Sequence, residues 1–235
     1  MRNEAESQCW LHAELRPFLN ARILMHESLP RALASLLALD IQRLDASLFS
    51  LQANFAEVLQ RPHIAEAVAA DLRRTASVDL CAPGLLAIFL SSQGFHAVQC
   101  QRVAHTHWLS GQRTLAVLIQ NWAAKLYSVD IHPAAQLGQG LCLDHSLGIV
   151  IGETAVIEDD VTMLHGVTLG STLKEAGDRH PKVRRGVTLG AHATVLGNIE
   201  IGASAMVAAG SVVRRAVPSG TVVAGVPAKA VFPQK

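Results

Sequence analysis

The sequence is poor in the features that mark membrane, secreted and nucleic-acid-binding proteins. No apolar run reaches the roughly 20 residues of a membrane-spanning helix, and the polar, acidic start MRNEAESQCW is unlike a signal peptide. The four cysteines include no CxxC pair, so we expect reduced thiols and a cytoplasmic location. A formal net charge of +1 argues against nucleic acid and membrane surfaces as partners. What remains, 50% hydrophobic and 17% charged over 235 residues, is typical of a globular chain of one or two domains.

Aromatic residues and glycines divide the chain near residue 130. Nine of the ten aromatic residues lie before that point, and fourteen of the seventeen glycines lie after it. Such different demands on side-chain volume and backbone freedom predict two architectures. We therefore expect one domain over residues 1–129 and a second over residues 130–235.

The first half has the periodicity of packed helices. Alanine and leucine dominate 29–39, with Ser28 placed as an N-cap and Pro30 in the first turn. Similar apolar stripes predict helices over 45–59, 64–75, 94–110 and 114–126. The sequence thus predicts a bundle of five to seven helices.

The second half repeats with a period of six residues. Its aliphatic series is Ile131, Leu137, Leu143 and Ile149, then Ile151, Ile157, Met163 and Leu169, then Val183, Leu189, Val195, Ile201, Val207 and Val213. Period six indicates a hexapeptide β-helix, in which three six-residue sides form a coil of about 18 residues. The predicted fold class is α+β: an N-terminal α-helical bundle followed by a left-handed parallel β-helix of hexapeptide repeats.

Two breaks interrupt the repeat. It slips by two residues between Ile149 and Ile151, and a polar stretch, 171–182, separates Leu169 from Val183 without any inward aliphatic register. We interpret 171–182 as a loop extruded from the solenoid. Loops on rigid scaffolds often carry function.

Histidines on the solenoid are the first candidates for chemistry, because imidazole titrates near neutral pH. His145 and His165 hold the same place in their units and should stack on neighbouring coils. Such a pair is compatible with a metal site, a catalytic pair or a solvated corner; no third ligand has a matching register, so we expect no metal. Asp130, fifteen residues before His145, should lie about one coil beneath it, where it could orient the imidazole or cap the junction.

The extruded loop carries a second candidate pair, Arg179 and His180. Arginine binds a carboxylate through two parallel hydrogen bonds, and an adjacent histidine can contact the same ligand. The alternative for this pair is a solvated turn.

Several stretches together resemble the serine acetyltransferases of bacteria and plants. They are VDIHPAA (129–135), GIVIGETAVI (148–157) and GDRHPK (177–182) in the second half, and HESL (26–29) and GFHAVQ (94–99) in the first. The resemblance implies transfer of an acetyl group from acetyl-CoA to the hydroxyl of L-serine, giving O-acetyl-L-serine and CoA in cysteine biosynthesis. It implies a homotrimer with each site between two solenoids, so that His145 and His180 come from different chains, and two trimers joined through the helical oligomerisation domains.

The resemblance also implies roles for individual residues. His145 would be the general base, oriented by Asp130. The serine ammonium would be held by Asp79 and Asp144, and its carboxylate by Arg179, with a hydrogen bond from His180. The contacts to CoA, largely through backbone amides, would fall on Ser171, Thr172, Ala191, Ala209 and Lys229.

Three positions depart from the family pattern. Ser171-Thr172-Leu173 follows Gly170 where the family has Gly-Thr-Gly, Leu80 follows Asp79 in place of proline, and the tail ends in VFPQK. We therefore expect altered CoA contacts at the loop and no docking on cysteine synthase through the tail. Two other functions stay open: another acetyl-CoA-dependent O- or N-acyltransferase with a different small acceptor, and a hexapeptide scaffold without catalysis.

Overall fold

The helical half comes first in a computed structural model that describes residues 1–48, 50–79, 81–174 and 176–231. In these ranges it contains eight α-helices, with a 3₁₀ segment (Ala13–Leu15) and a π segment (Asn20–Leu24) on either side of the second helix. The helices are α1 (Arg2–Leu11), α2 (Arg16–Leu19), α3 (Leu29–Gln42), α4 (Leu51–Leu59), α5 (Pro62–Val78), α6 (Leu85–Ser91), α7 (Gln93–Leu109) and α8 (Arg113–Tyr127).

The predicted helical bundle is confirmed, but five to seven helices were too few. Helix α1 was not predicted because it buries only Ala5 and Cys9 and so has no apolar stripe. Helix α2 was not predicted because it has only four residues. The helix predicted over 45–59 begins at Leu51, because 45–48 forms turns. Ser28 precedes α3 in the extended conformation of an N-cap, although its side chain makes no capping hydrogen bond.

The described residues of the solenoid half form fifteen short strands in three sheets, one for each side of a triangular prism. Every strand pair is parallel except β14 with β15. Sheet A contains β1 (Val129–Ile131), β4 (Ile149–Ile151), β7 (Thr168–Gly170), β10 (Thr194–Leu196) and β13 (Val212–Val213). Sheet B contains β2 (Gln136–Leu137), β5 (Val156–Ile157), β8 (Lys182–Val183) and β11 (Glu200–Ile201). Sheet C contains β3 (Cys142–Asp144), β6 (Thr162–Leu164), β9 (Thr188–Leu189), β12 (Met206–Val207), β14 (Val222–Ala224) and β15 (Lys229–Ala230).

The six-residue repeat is confirmed as the inward register of the coils. Every aliphatic residue of the predicted series is buried except Leu137, which is half-buried. An uninterrupted coil pairs Thr188 with Met206, eighteen residues on, and the two-residue slip lengthens the first coil so that Val129 pairs with Ile149. Residues 171–181 connect β7 to β8. The predicted loop ended one residue too late, because Lys182 begins β8 and pairs with Val156.

The helical half packs directly on the first coil. The carboxylate of Asp71 on α5 forms a buried ion pair of 2.7 Å with Arg102 on α7 and accepts the backbone N–H of Leu141, just before β3. A Cβ on Gly94 would lie 2.8 Å from the Cβ of Leu143, so α7 approaches β3 closely. Helix α8 ends at Tyr127 and β1 begins at Val129, while a division into domains at residue 129 stays a prediction. None of the described helices has the length and hydrophobicity that a membrane crossing requires.

Candidate active site

Two corners of the prism carry the predicted site residues. At the first, which we call the C/A corner, the chain passes from a strand of sheet C to a strand of sheet A, as from β3 to β4. At the second, the A/B corner, it passes from sheet A to sheet B, and the extruded loop leaves there. Residues at these two corners are separated by the width of sheet A.

A cavity of about 470 Å³ beside the C/A corner brings together Asp79, Asp144 and His145. The helical half supplies Asp79 at the end of α5, and β3 supplies Asp144. His145 follows β3 in the left-handed conformation (φ 53°), which turns the chain and leaves the imidazole 79% exposed. Its Nε2 lies 3.9 Å from Oδ1 of Asp144. Two carboxylates beside an accessible imidazole can hold a cation and accept a proton.

The predicted stack of His145 and His165 is confirmed, and it continues to a third ring. The ring centroids of His145 and His165 are 6.3 Å apart, and those of His165 and His192 are 4.9 Å apart, both edge to face. No group of three potential metal ligands occurs among the described residues.

Asp130 lies elsewhere than the spacing suggested. It belongs to β1, in the same coil as β3, and not one coil beneath His145. A separation of fifteen residues is shorter than a regular coil of eighteen, and the slip lengthens this coil to twenty. The side chain is exposed on sheet A and accepts a hydrogen bond of 2.6 Å from Nε2 of Gln120 on α8. Among the described residues no hydrogen bond or ion pair joins it to His145 within one chain.

Arg179 lies at the A/B corner, where Glu153 holds it. Nη2 donates a hydrogen bond of 2.6 Å to Oε2 of Glu153, and Nη1 donates one of 3.0 Å to the carbonyl of Gly177. The same guanidinium lowers the pKa of the Glu153 carboxyl. Nearby, Nζ of Lys182 donates to the carbonyl oxygens of Thr154 and His180, at 2.8 and 2.9 Å. These contacts attach the end of the extruded loop to the coil.

His180 is buried against the same coil, with 7% of its surface exposed. Its Nδ1 lies 3.2 Å from the backbone nitrogen and 2.9 Å from the hydroxyl of Thr154. Burial, followed by the charge of Arg179, lowers the pKa of the His180 imidazole. The ring is therefore disposed to stay neutral.

The residues predicted to contact CoA divide between the two corners and the end of the solenoid. Ala191 and Ala209 lie at the C/A corner, on coils beyond His145, whereas Ser171 and Thr172 begin the extruded loop at the A/B corner. Lys229 is exposed on β15. Leu173, which replaces a family glycine, has a positive φ of 60° and is 93% exposed. Two of the departures from the family pattern lie outside the described residues: Leu80 and the tail residues 232–235.

Sequence reasoning missed three residues that contact the candidates: Gln120, Glu153 and Thr154. Glu153 and Thr154 stand inside a stretch that was used only for its resemblance. Their contacts with Arg179 and His180 depend on the strand pairing of Val156 with Lys182 across the loop, which the spacing alone does not give.

Comparisons with known proteins decide the family. Residues 1–100 match the family model described as serine acetyltransferase, N-terminal. Serine acetyltransferase 2 of Arabidopsis thaliana is 45% identical over 230 residues, which cover 97% of this chain and 71% of that protein. The chain belongs to the serine acetyltransferase family. A serine acetyltransferase from Brucella abortus in complex with coenzyme A is 41% identical with a TM-score of 0.96, covering 100% of this chain and 94% of that one. A serine acetyltransferase from Neisseria gonorrhoeae in complex with serine is 42% identical with a TM-score of 0.94, covering 98% and 95%.

Family membership confirms the resemblance carried by the motifs. A serine acetyltransferase must bind an amino acid, whose ammonium and carboxylate need partners of opposite charge. The C/A corner offers two carboxylates and the A/B corner offers a guanidinium. The role of each residue stays a prediction.

Proposed function

We propose that this chain transfers the acetyl group of acetyl-CoA to the hydroxyl of L-serine, giving O-acetyl-L-serine and CoA, in the cysteine biosynthesis of the cytoplasm. The observation that carries the proposal is the cavity in which Asp79, Asp144 and His145 meet, in a chain of the serine acetyltransferase family. The similar proteins from Brucella abortus and Neisseria gonorrhoeae, bound to coenzyme A and to serine, support the two substrates.

His145 is the general base in this proposal. A serine hydroxyl is a poor nucleophile at neutral pH, and an imidazole that takes its proton during attack typically contributes about 10²–10⁴-fold. The exposed ring leaves a nitrogen accessible to the hydroxyl, while Asp79 and Asp144 hold the ammonium of the same substrate. Asp130 is the proposed orienting carboxylate, and the cleft between two copies is where it would meet the imidazole.

The carboxylate of serine binds Arg179, and His180 donates a hydrogen bond to the substrate. Because these residues lie at the A/B corner and His145 lies at the C/A corner, a complete site requires two copies of the chain. We therefore propose a homotrimer in which the C/A corner of one solenoid faces the A/B corner of the next, with two trimers joined through the helical halves. Light scattering of the purified protein distinguishes monomer, trimer and hexamer.

CoA would lie in the same cleft, along the backbone amides near Ala191 and Ala209 on one side and Ser171 and Thr172 on the other, with Lys229 near the end of the solenoid. Backbone N–H groups directed at the thioester oxygen would stabilise the oxyanion of the tetrahedral intermediate. Much of the remaining rate gain is positional, because both substrates are held together. Docking on cysteine synthase through the tail is not part of the proposal.

An acceptor screen tests this function. Thiol release from acetyl-CoA is measured with L-serine, L-homoserine, a small sugar and no acceptor. Rapid release with serine alone is expected, and His145→Ala should lose at least about 10²-fold of it. His63→Ala is the matched control, since His63 is exposed on α5 and does not line the cavity. Preference for homoserine or a sugar would assign a different acceptor, and full activity of His145→Ala would remove the base.

A further inference from the structure

The hydroxyl of Thr154 makes three hydrogen bonds to the Arg179–His180 pair. It accepts the backbone N–H of Arg179 at 2.9 Å and that of His180 at 3.1 Å. A threonine hydroxyl has two acceptor lone pairs and a single proton. With both lone pairs occupied by backbone N–H groups, the hydroxyl can only donate its proton. Nδ1 of His180 lies within reach at 2.9 Å, and so does the Asp178 carboxylate, whose pKa the Thr154 side chain helps to lower.

The backbone of Thr154 fixes the same ring nitrogen independently. Its N–H, which can only donate, points at Nδ1 of His180 over 3.2 Å. A nitrogen that accepts this N–H cannot carry a proton of its own. The ring proton of the neutral imidazole must then be on Nε2. Protonating the ring fully would place an N–H against this donor, so the contacts with Thr154 also oppose the charged form.

Glycine at position 152 makes room for this ring. A Cβ at Gly152 would overlap both Cδ2 and Nε2 of His180. Only 7% of the surface of His180 is exposed. Its Nε2 has no hydrogen-bond partner among the described residues, and that atom is not fully buried by them. Nε2 is thus the ring nitrogen that remains for a ligand, next to a guanidinium already held by Glu153.

We propose that Thr154 is a positioning residue that holds His180 as a neutral imidazole with its proton on Nε2, so that His180 donates a hydrogen bond to the carboxylate or hydroxyl oxygen of the amino-acid substrate and never takes a proton from it. The proposal rests on the proposed function for the substrate. It assigns opposite roles to the two site histidines. His145, which receives no such donor from the part of the chain that the structure describes, accepts a proton, and His180 donates a hydrogen bond.

Nitrogen NMR of the intact enzyme tests the tautomer without any reference to catalysis. The protein is labelled with ¹⁵N-histidine, and the signals of His180 are assigned by their loss in His180→Gln. At pH 7.5 we expect an unprotonated Nδ1 and a protonated Nε2. A proton on Nδ1, or a doubly protonated ring, would overturn the proposal. If the expected tautomer is found but serine is not acetylated, the proposed function fails while the positioning by Thr154 stands.

Substitutions of Thr154 test its effect on the substrate. Thr154→Val keeps the shape of the side chain and removes the hydroxyl, leaving two backbone N–H groups without their acceptor. We expect KM for serine to rise about tenfold or more, with KM for acetyl-CoA changed much less. Thr154→Ser, which keeps the hydroxyl, should restore KM to within about twofold. Thr188→Val, at a half-buried position of β9 in sheet C, is the matched control.

Equal KM values for wild type and Thr154→Val would refute the positioning role. So would a loss in Thr154→Ser as large as in Thr154→Val, because the role requires the hydroxyl and not the methyl group. Should Thr154→Val fail to fold, the tautomer in the wild-type enzyme decides the proposal alone.

Discussion

Replacing Asp71 with alanine should lower the free energy of unfolding, because this residue joins the helical half to the coil that carries the candidate site. Oδ2 of this carboxylate accepts hydrogen bonds from Arg102 at 2.7 and 3.2 Å and from Gln99 at 2.9 Å, and Oδ1 accepts the N–H of Leu141 at 2.9 Å. Arg102 in turn donates to the carbonyl of Gly138. The network therefore joins α5 and α7 to the coil segment that leads into β3.

The size of the effect follows from burial. The side chains of Asp71 and Arg102 are 1% and 9% exposed, so Asp71→Ala leaves a guanidinium away from water without its carboxylate. Removing one partner of a buried ion pair costs about 3–5 kcal/mol. Arg102→Ala should cost less, about 2–3 kcal/mol, because Gln99 and the backbone still donate to the carboxylate. The double variant has no unpaired charge, so its cost should fall short of the sum by at least about 1 kcal/mol.

Urea unfolding of the four proteins measures these costs. All are studied at one protein concentration, because association stabilises the folded state by mass action. The free energy of unfolding and its slope against urea are compared, since a changed slope would indicate loss of two-state behaviour. Glu57→Ala is the surface control, with an expected change within about 0.5 kcal/mol. Strict additivity of the single variants, or a cost of Asp71→Ala below about 1 kcal/mol, would refute the reasoning.

Two further predictions concern the helical half. His96 is 3% exposed, and burial lowers its pKa below the ordinary value of 6.5. Between that lowered pKa and about 6.5 the unfolded chain binds more protons than the folded one, so the free energy of unfolding should fall as pH drops through this window. Urea unfolding from pH 5.5 to 8 should show a shallower decline for His96→Gln, and an unchanged slope would contradict the prediction. Gly94→Ala should destabilise the protein by about 1–3 kcal/mol, because the new Cβ meets the backbone and side chain of Leu143. Thermal unfolding measures the effect, and an unchanged Tm would contradict the prediction by showing that α7 can move away from β3.

The solenoid was predictable because its period is a direct record of its geometry. Each inward position must hold a small or medium aliphatic side chain, and residues such as Met163 and Val195 recur where the prism has room for them. The helices of the first half were harder to predict from the sequence. Helix α1 buries Ala5 and Cys9 but exposes Trp10, so no apolar stripe marks it in the sequence.

The site could be predicted residue by residue but not in its connections. His145 and Arg179 stand out in the sequence because an imidazole titrates near neutral pH and a guanidinium binds a carboxylate. The partners of Arg179 and His180 depend on how the coils pair across the extruded loop, which the sequence does not show. The placement of Asp130 failed for a related reason. Fifteen residues are fewer than the eighteen of a regular coil, and the slip between Ile149 and Ile151 lengthens the first coil to twenty, so Asp130 and His145 fall within one coil.

The exposure of His145 is itself an argument for the proposed assembly. A general base gains most when its site excludes water, yet the imidazole of His145 is 79% exposed in one chain. In the proposed assembly, the surface that covers this imidazole supplies a cation for the substrate carboxylate and a neutral N–H donor, in place of hydrogen bonds from water. The A/B corner presents that pair, with Arg179 held by Glu153 and His180 held by Thr154. Two different corners of one prism match each other in a head-to-tail contact, which closes into a ring only when the rotation between copies allows it. The trimer that we propose is such a ring of three copies.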